Sequence, residues 1–143
     1  MGFIPDRAES FRTYVQRRFG LELPKGVDIF YAKGVRVGNK DLRKSHIHGE
    51  LGYGACDFGF NPTNAIIQNF GHLATRNVVE VEEDDAKAFA AGNDLERDMG
   101  RGSRYVIIRY KWHTVGMGYY DRDRKRILNK IPEKRRRAII NSI

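Results

Sequence analysis

The sequence predicts an α+β fold in one domain, residues 1–143, with a small mixed or antiparallel sheet and short helices at its flanks. Three observations predict it. Of the 143 residues, 41% are hydrophobic and 11% aromatic, enough for one core and too few for two. The apolar residues change period along the chain, from helical spacing near the N-terminus to β-branched, strand-like runs and back to helical spacing at the C-terminus. Gly20, Gly34, Gly38, Gly71 and Gly92 punctuate those runs where elements should end.

Taken in order, residues 6–19 place Phe11, Tyr14, Val15 and Phe19 on one side of a helix, with Arg7, Glu9, Arg12, Gln16 and Arg17 mostly elsewhere. Pro5 and Asp6 suit its start, and Gly20 suits its end after a last turn carrying Arg17 and Arg18. Val27, Ile29, Tyr31, Val35 and Val37, broken by Gly34 and closed by Gly38 and Asn39, read as two short strands. Residues 41–61 interleave Gly49, Gly52, Gly54 and Gly59 with Leu51, Tyr53 and Phe58, a density of glycine that predicts bent strands and loops. Asn61 as cap and Pro62 as first helical residue open a helix over 62–70 that buries Ile66, Ile67 and Phe70 and ends at Gly71.

A strand is expected over 77–81, then a helix over 82–91 whose acidic start (Glu83, Asp84, Asp85) complements its dipole and which Gly92 closes. A polar linker, 92–104, precedes two strands, 105–112 and 115–120, separated by His113 and Thr114. Arg124 and Lys125 form a further turn before Ile127 and Leu128, giving three antiparallel strands in succession. Pro132 breaks the pattern, and 133–143 has the spacing of a terminal helix with Ile139, Ile140 and Ile143 on its apolar side. A lone Trp112 in a strand pattern is expected more as core than as surface.

Charge points to a partner. Lys and Arg total 26 against 18 Asp and Glu, a net charge of +8 and a pI near 9.8. A surplus of this sign attracts polyanions, nucleic acid first and anionic membrane second. Residues 122–137 carry most of it: nine basic residues (Arg122, Arg124, Lys125, Arg126, Lys130, Lys134, Arg135, Arg136, Arg137) against Asp123 and Glu133, or +7. The aromatics Tyr119, Tyr120 and Trp112 stand beside that run, as a backbone-tracking surface with base-stacking rings requires. No apolar run approaches the roughly 20 residues of a spanning helix, and MGFIPDRAES lacks the charged and apolar regions of a leader, so no membrane partner and a cytoplasmic location are expected. The single cysteine, Cys56, cannot form an internal disulfide; with no basic or histidine neighbour it reads as a buried structural thiol.

The order GVRVG at 34–38, NPTNAIIQNFGH at 61–72, AFAAGNDL at 88–95, VGMGYY at 115–120 and LNKIPEKRR at 128–136 resembles the PUA-like domain appended to Sun/nucleolar-family RNA cytosine methyltransferases, over about residues 18–136. The resemblance implies a small β-barrel with flanking helices that helps hold structured RNA, tRNA or rRNA, for a separate catalytic domain. It implies that Gly116 and Gly118 are the family's paired glycines, allowing close backbone approach, and that Asn129 and Pro132 belong to its terminal Lys-Asn-x-x-Pro-Lys pattern. Leu128, Tyr119 and Glu133 stand where the family has lysine, so the contact chemistry shifts to Lys130, Lys134 and Arg135, Arg136 and Arg137. Arg43 and Lys44 complete the expected RNA-binding set, with Gly116, Gly118, Tyr119, Tyr120, Arg122, Arg124, Lys125, Arg126 and Asn129.

No glycine-rich cofactor loop after a buried strand and no Pro-Cys nucleophile is present, so no catalytic residue, cofactor or metal is expected. Two alternatives remain open. A metal-dependent hydrolase could be built on His46, His48, His72 and Asp57, since His-x-His can present two imidazoles on one strand face; a second metal-ligand pair and a general base are not identifiable. The other is an assembly role, as a ribosome-associated protein or a trans-acting partner of an RNA methyltransferase.

Overall fold

The run Val106, Ile107 and Ile108 has no polar face, which fits a strand buried on both sides. In the computed structural model, which describes residues 6–31, 34–39, 53–56, 61–100 and 102–143, this run alternates between two hydrophobic clusters, where the composition suggested a single core. Ile107 joins a cluster with Phe11, Phe19, Ile29, Val37 and Ile66, whereas Val106 and Ile108 join Phe89, Val115, Tyr120, Ile127 and Ile139.

The first core is built from the N-terminal half. Helix α1 (Arg7–Phe19) starts where the Asp6 carboxylate accepts the Ala8 and Glu9 N–H groups at 2.9 and 3.3 Å, and ends at Gly20 in the left-handed region. Its buried face is Ala8, Phe11, Val15 and Phe19. Arg12 fastens it to strand β1 (Val27–Tyr31), donating to Asp28 at 2.9 Å and to the Ile29 carbonyl. Strand β2 (Val35–Asn39) pairs antiparallel with β1 and, on its other edge, with β3 (Tyr53–Gly54). Gly38 and Asn39 are the last two residues of β2, opposite Asp28 and Val27.

Helix α2 (Asn64–Phe70) begins two residues later than the sequence suggests. Its cap is Thr63, whose hydroxyl accepts the Ile66 N–H at 3.3 Å and donates to the Gly54 carbonyl at 2.8 Å. Pro62 instead lies in an isolated antiparallel bridge with Cys56, so the missing N–H serves an extended segment and not a first turn. Ile66 and Ile67 are buried as expected and Phe70 is half-buried. Gly71 opens a 3-10 turn (Gly71–Leu73) with ordinary right-handed backbone, and its lack of a side chain is explained by packing, since a Cβ there would press on Thr114 and Ile107.

The second sheet runs β4 (Val78–Glu80), β6 (Arg104–Tyr110), β7 (His113–Asp121), β8 (Arg126–Asn129), β5 (Leu95–Glu96), with β4 parallel to β6 and the remaining neighbours antiparallel. The α+β class, the mixed sheet, the flanking helices and the successive antiparallel β6, β7 and β8 agree with expectation. The sheet is open in its hydrogen bonding between β4 and β5, although Arg97 reaches from the end of β5 to the Glu80 carbonyl at 3.5 Å. Two details differ. The polar linker holds β5, too short to leave a pattern. The β6–β7 turn falls at Lys111 and Trp112, one strand ending at Tyr110 and the next starting at His113, with Lys111 at φ 52° supplying the conformation that glycine or asparagine usually marks. Trp112 is consequently 89% exposed and not a core residue.

Helices α3 (Glu83–Ala90) and α4 (Glu133–Ser142) cover the second face of this sheet. Ile139 is buried there, with Ile140 and Ile143 half-buried beside it. Cys56 is half-buried against the first core. No helix among the described residues is long and apolar enough to cross a membrane.

Candidate nucleic-acid interface

The basic run 122–137 divides into two parts that differ in their neighbours. In the β7–β8 turn each cation has a carboxylate close by: Arg122 and Asp123 at 3.5 Å, Arg124 and Asp121 at 3.5 Å, Lys125 and Asp98 at 3.8 Å, and Arg126 and Glu96 at 3.1 Å. Two of those acids, Asp98 and Glu96, come from around β5, far away in sequence. The Asp98 carboxyl is held below its ordinary value, chiefly by the Gly100 N–H, which outweighs desolvation; the Tyr120 hydroxyl and then Lys125 lower it further. The turn is therefore close to neutral.

Lys130, Lys134, Arg135 and Arg137 are exposed and make no ion pair with any described residue. Three of them sit on the first two turns of α4, and Pro132 starts that helix with its backbone in the extended region. Arg136 points elsewhere: it is half-buried, its guanidinium lies against the turn at Gly92 just beyond the C-terminus of α3, and its Nε has no partner among the described residues. A cation there is favoured by the negative end of the α3 dipole, so Arg136 acts as packing between the two helices.

Between α2 and α4 runs a groove of about 420 Å³, with Thr63, Ala65 and Gln68 on one wall and Lys134, Arg135 and Ala138 on the other. Gln68 donates to the Thr114 carbonyl at 2.9 Å, and Trp112 stands two residues before Thr114 in the β6–β7 hairpin. Lys111 beside it lies 5.2 Å from the Tyr110 ring. An exposed indole and a cationic groove thus stand at the same end of the sheet.

The structure places several expected contact residues in the interior. Tyr120 is fully buried, its hydroxyl accepting the Met99 N–H at 2.9 Å, so its ring cannot stack on a base. Tyr119 is half-buried and packs edge-on against Tyr105 at 5.0 Å. Gly116 and Gly118 are buried, and the close approach they permit is to protein: a Cβ would overlap Ile131 at Gly116 and Ile127 at Gly118. Asn129 clamps β8 to α3, its amide donating to the Phe89 and Asn93 carbonyls at 2.6 and 3.1 Å and accepting the Ile131 N–H at 2.9 Å. These residues share a sequence neighbourhood with the basic run because they build the platform beneath it.

Arg43, Lys44, His46, His48 and Asp57 lie outside the described residues. His72 is exposed in the 3-10 turn, and among the described residues no group of three His, Cys, Asp or Glu side chains could hold a metal ion. Sequence reasoning passed over the α2 wall, Thr63 and Gln68, because a capping threonine and one polar residue on a short helix give no signal until the terminal helix is seen beside them.

Residues 76–137 match the model of the family described as "Methyltransferase RsmF PUA domain". This span is shorter than the resemblance over 18–136, and it holds the motifs at 88–95, 115–120 and 128–136. The chain is similar to the ribosomal RNA small subunit methyltransferase F of Aeromonas salmonicida and to that of Aeromonas hydrophila, each 32% identical over 76 residues. The aligned stretch is 53% of this chain and 16% of either relative, so the similarity spans about a sixth of those methyltransferases.

Proposed function

We propose, on the premise that residues 76–137 are a PUA module of the RsmF type, that the chain holds structured RNA, rRNA or tRNA, without carrying out a reaction itself. The observation that carries this reading is the exposed group Lys130, Lys134, Arg135 and Arg137, which faces solvent and forms no ion pair with a carboxylate of the described residues, Glu133 being the one acid in the helix that bears three of them. Unpaired cations on a folded surface release counterions from a phosphate backbone when they bind it, which supplies affinity without naming a sequence. Trp112, exposed at the adjoining hairpin, supplies a face on which an unpaired base stacks. The relatives are ribosomal RNA methyltransferases, which favours rRNA as the target and a methyltransferase or the ribosome as the assembly in which the module works. The cytoplasm, where such RNA resides, is the compartment this reading implies.

The test is equilibrium binding of the intact chain to small-subunit rRNA fragments and to tRNA over a range of salt. Log affinity should fall linearly and steeply with log salt. No binding at about 50 mM salt, where phosphate contacts are strongest, would overturn the proposal.

A further inference from the structure

The groove between α2 and α4 has the size at which small organic ligands are usually held, and a double helix is too broad to enter it. Its walls differ in character. Lys134 and Arg135 supply positive charge on the α4 side, Ala138, Ile139 and Pro132 supply apolar surface, and the α2 side presents the Gln68 amide.

That amide is fixed at both ends. Its nitrogen donates to the Thr114 carbonyl at 2.9 Å, and its oxygen accepts from Asn64 Nδ2 at 3.5 Å. Asn64 is itself buried and held by the Met117 N–H, which donates to its Oδ1 at 3.0 Å. A primary amide has two donors and two acceptor sites, so Gln68 keeps one of each after these bonds. A free donor and a free acceptor on one fixed amide plane match the alternating groups of a nucleobase edge, which is how glutamine reads bases elsewhere.

We propose that this groove seats one unpaired nucleotide of the bound RNA, its phosphate on Lys134 and Arg135 and its base against the Gln68 amide and the apolar wall. The inference rests on the RNA-binding reading and names what the same surface recognises. A paired base would first have to be unstacked, at a cost of about a few kcal/mol. A bulge or loop has already met that cost, so the groove selects RNA with an unpaired position.

Ala138 gives a clean test, because it is exposed on α4, lines the groove and carries no charge. Affinity would be measured for a hairpin with a one-nucleotide bulge and for the same hairpin fully paired, using the native chain and Ala138→Trp, which fills the groove and leaves the charge unchanged. The native chain should prefer the bulged hairpin by about tenfold or more, tenfold being the scale of one good base-edge pair. Ala138→Trp should cut that preference by about tenfold, leaving only what stacking on Trp112 supplies, while keeping the affinity for the paired hairpin and its salt dependence. Equal affinity of the native chain for both hairpins, or a preference undiminished in Ala138→Trp, would overturn the inference and leave electrostatic RNA binding standing. Absence of binding to either hairpin would overturn the RNA-binding reading, and this inference with it.

Discussion

Replacing Lys134, Arg135 and Arg137 together by alanine should flatten the salt dependence of RNA binding far more than replacing Arg122, Arg124 and Lys125, although each set removes three positive charges. The difference follows from their neighbours. The α4 side chains are exposed and form no ion pair with a carboxylate of the described residues, so each can neutralise one phosphate. At about 0.7 to 0.9 per phosphate, the slope of log affinity against log salt should fall by about 2 to 3 for the α4 set. The turn cations already stand 3.5, 3.5 and 3.8 Å from Asp123, Asp121 and Asp98, and a phosphate arriving there meets those carboxylates as well. Their removal should change the slope by less than about 1, a single phosphate's share. Both sets are surface substitutions, which usually leave stability within about 0.5 kcal/mol each, so the chains remain folded for the comparison. Fluorescence anisotropy with one labelled RNA at four or five salt concentrations suffices. Equal changes, or a larger one for the turn set, would refute the division of the basic run drawn here.

Gly116→Ala should destabilise the fold by about 1 to 3 kcal/mol in urea denaturation, because its Cβ would overlap Ile131, while the folded fraction binds RNA as before. Trp112→Ala should leave stability nearly unchanged and weaken binding to looped RNA by about 1 to 3 kcal/mol, and the native indole emission should be quenched on complex formation. The Asp98 carboxyl titrates below its ordinary 3.8, so its contribution is fully present above that value and is lost as pH falls through the depressed one. Denaturation of the native chain and Asp98→Asn should show stabilities that differ at neutral pH and converge in acid.

Much of the fold was legible because its signals are local. Asp6 and Gly20 bracket α1 as caps do, and the alternation in β1 and β2 and the long runs of β6 and β7 are strong periodic patterns. What escaped depends on partners distant in sequence. Strand β5 has two residues and exists because Leu95 and Glu96 pair with Ile127 and Arg126. The start of α2 moved to Asn64 because Thr63 had a carbonyl to bond in Gly54 and Pro62 a bridge partner in Cys56. The β6–β7 turn moved because Lys111 accepts a positive φ that its side chain does not advertise.

At the candidate site, charge density located the right segment and could not divide it. The acids that pair Lys125 and Arg126 lie about thirty residues upstream, so no local window separates the balanced turn from the unbalanced helix. Motif likeness found the glycines and Asn129 and assigned them to the ligand, whereas their geometry serves β8, α3 and Ile131. Short motifs in a binding module mark what the fold requires as readily as what the ligand touches.

Whether α4 and the β6–β7 hairpin hold structured RNA is read from ultraviolet crosslinking in the native cells, with both the attached RNA and the attached peptides identified. A defined rRNA or tRNA site should be found joined to peptides spanning Lys130–Arg137 or containing Trp112. RNA recovery no greater than background, or crosslinks confined to peptides away from these two elements, would contradict it.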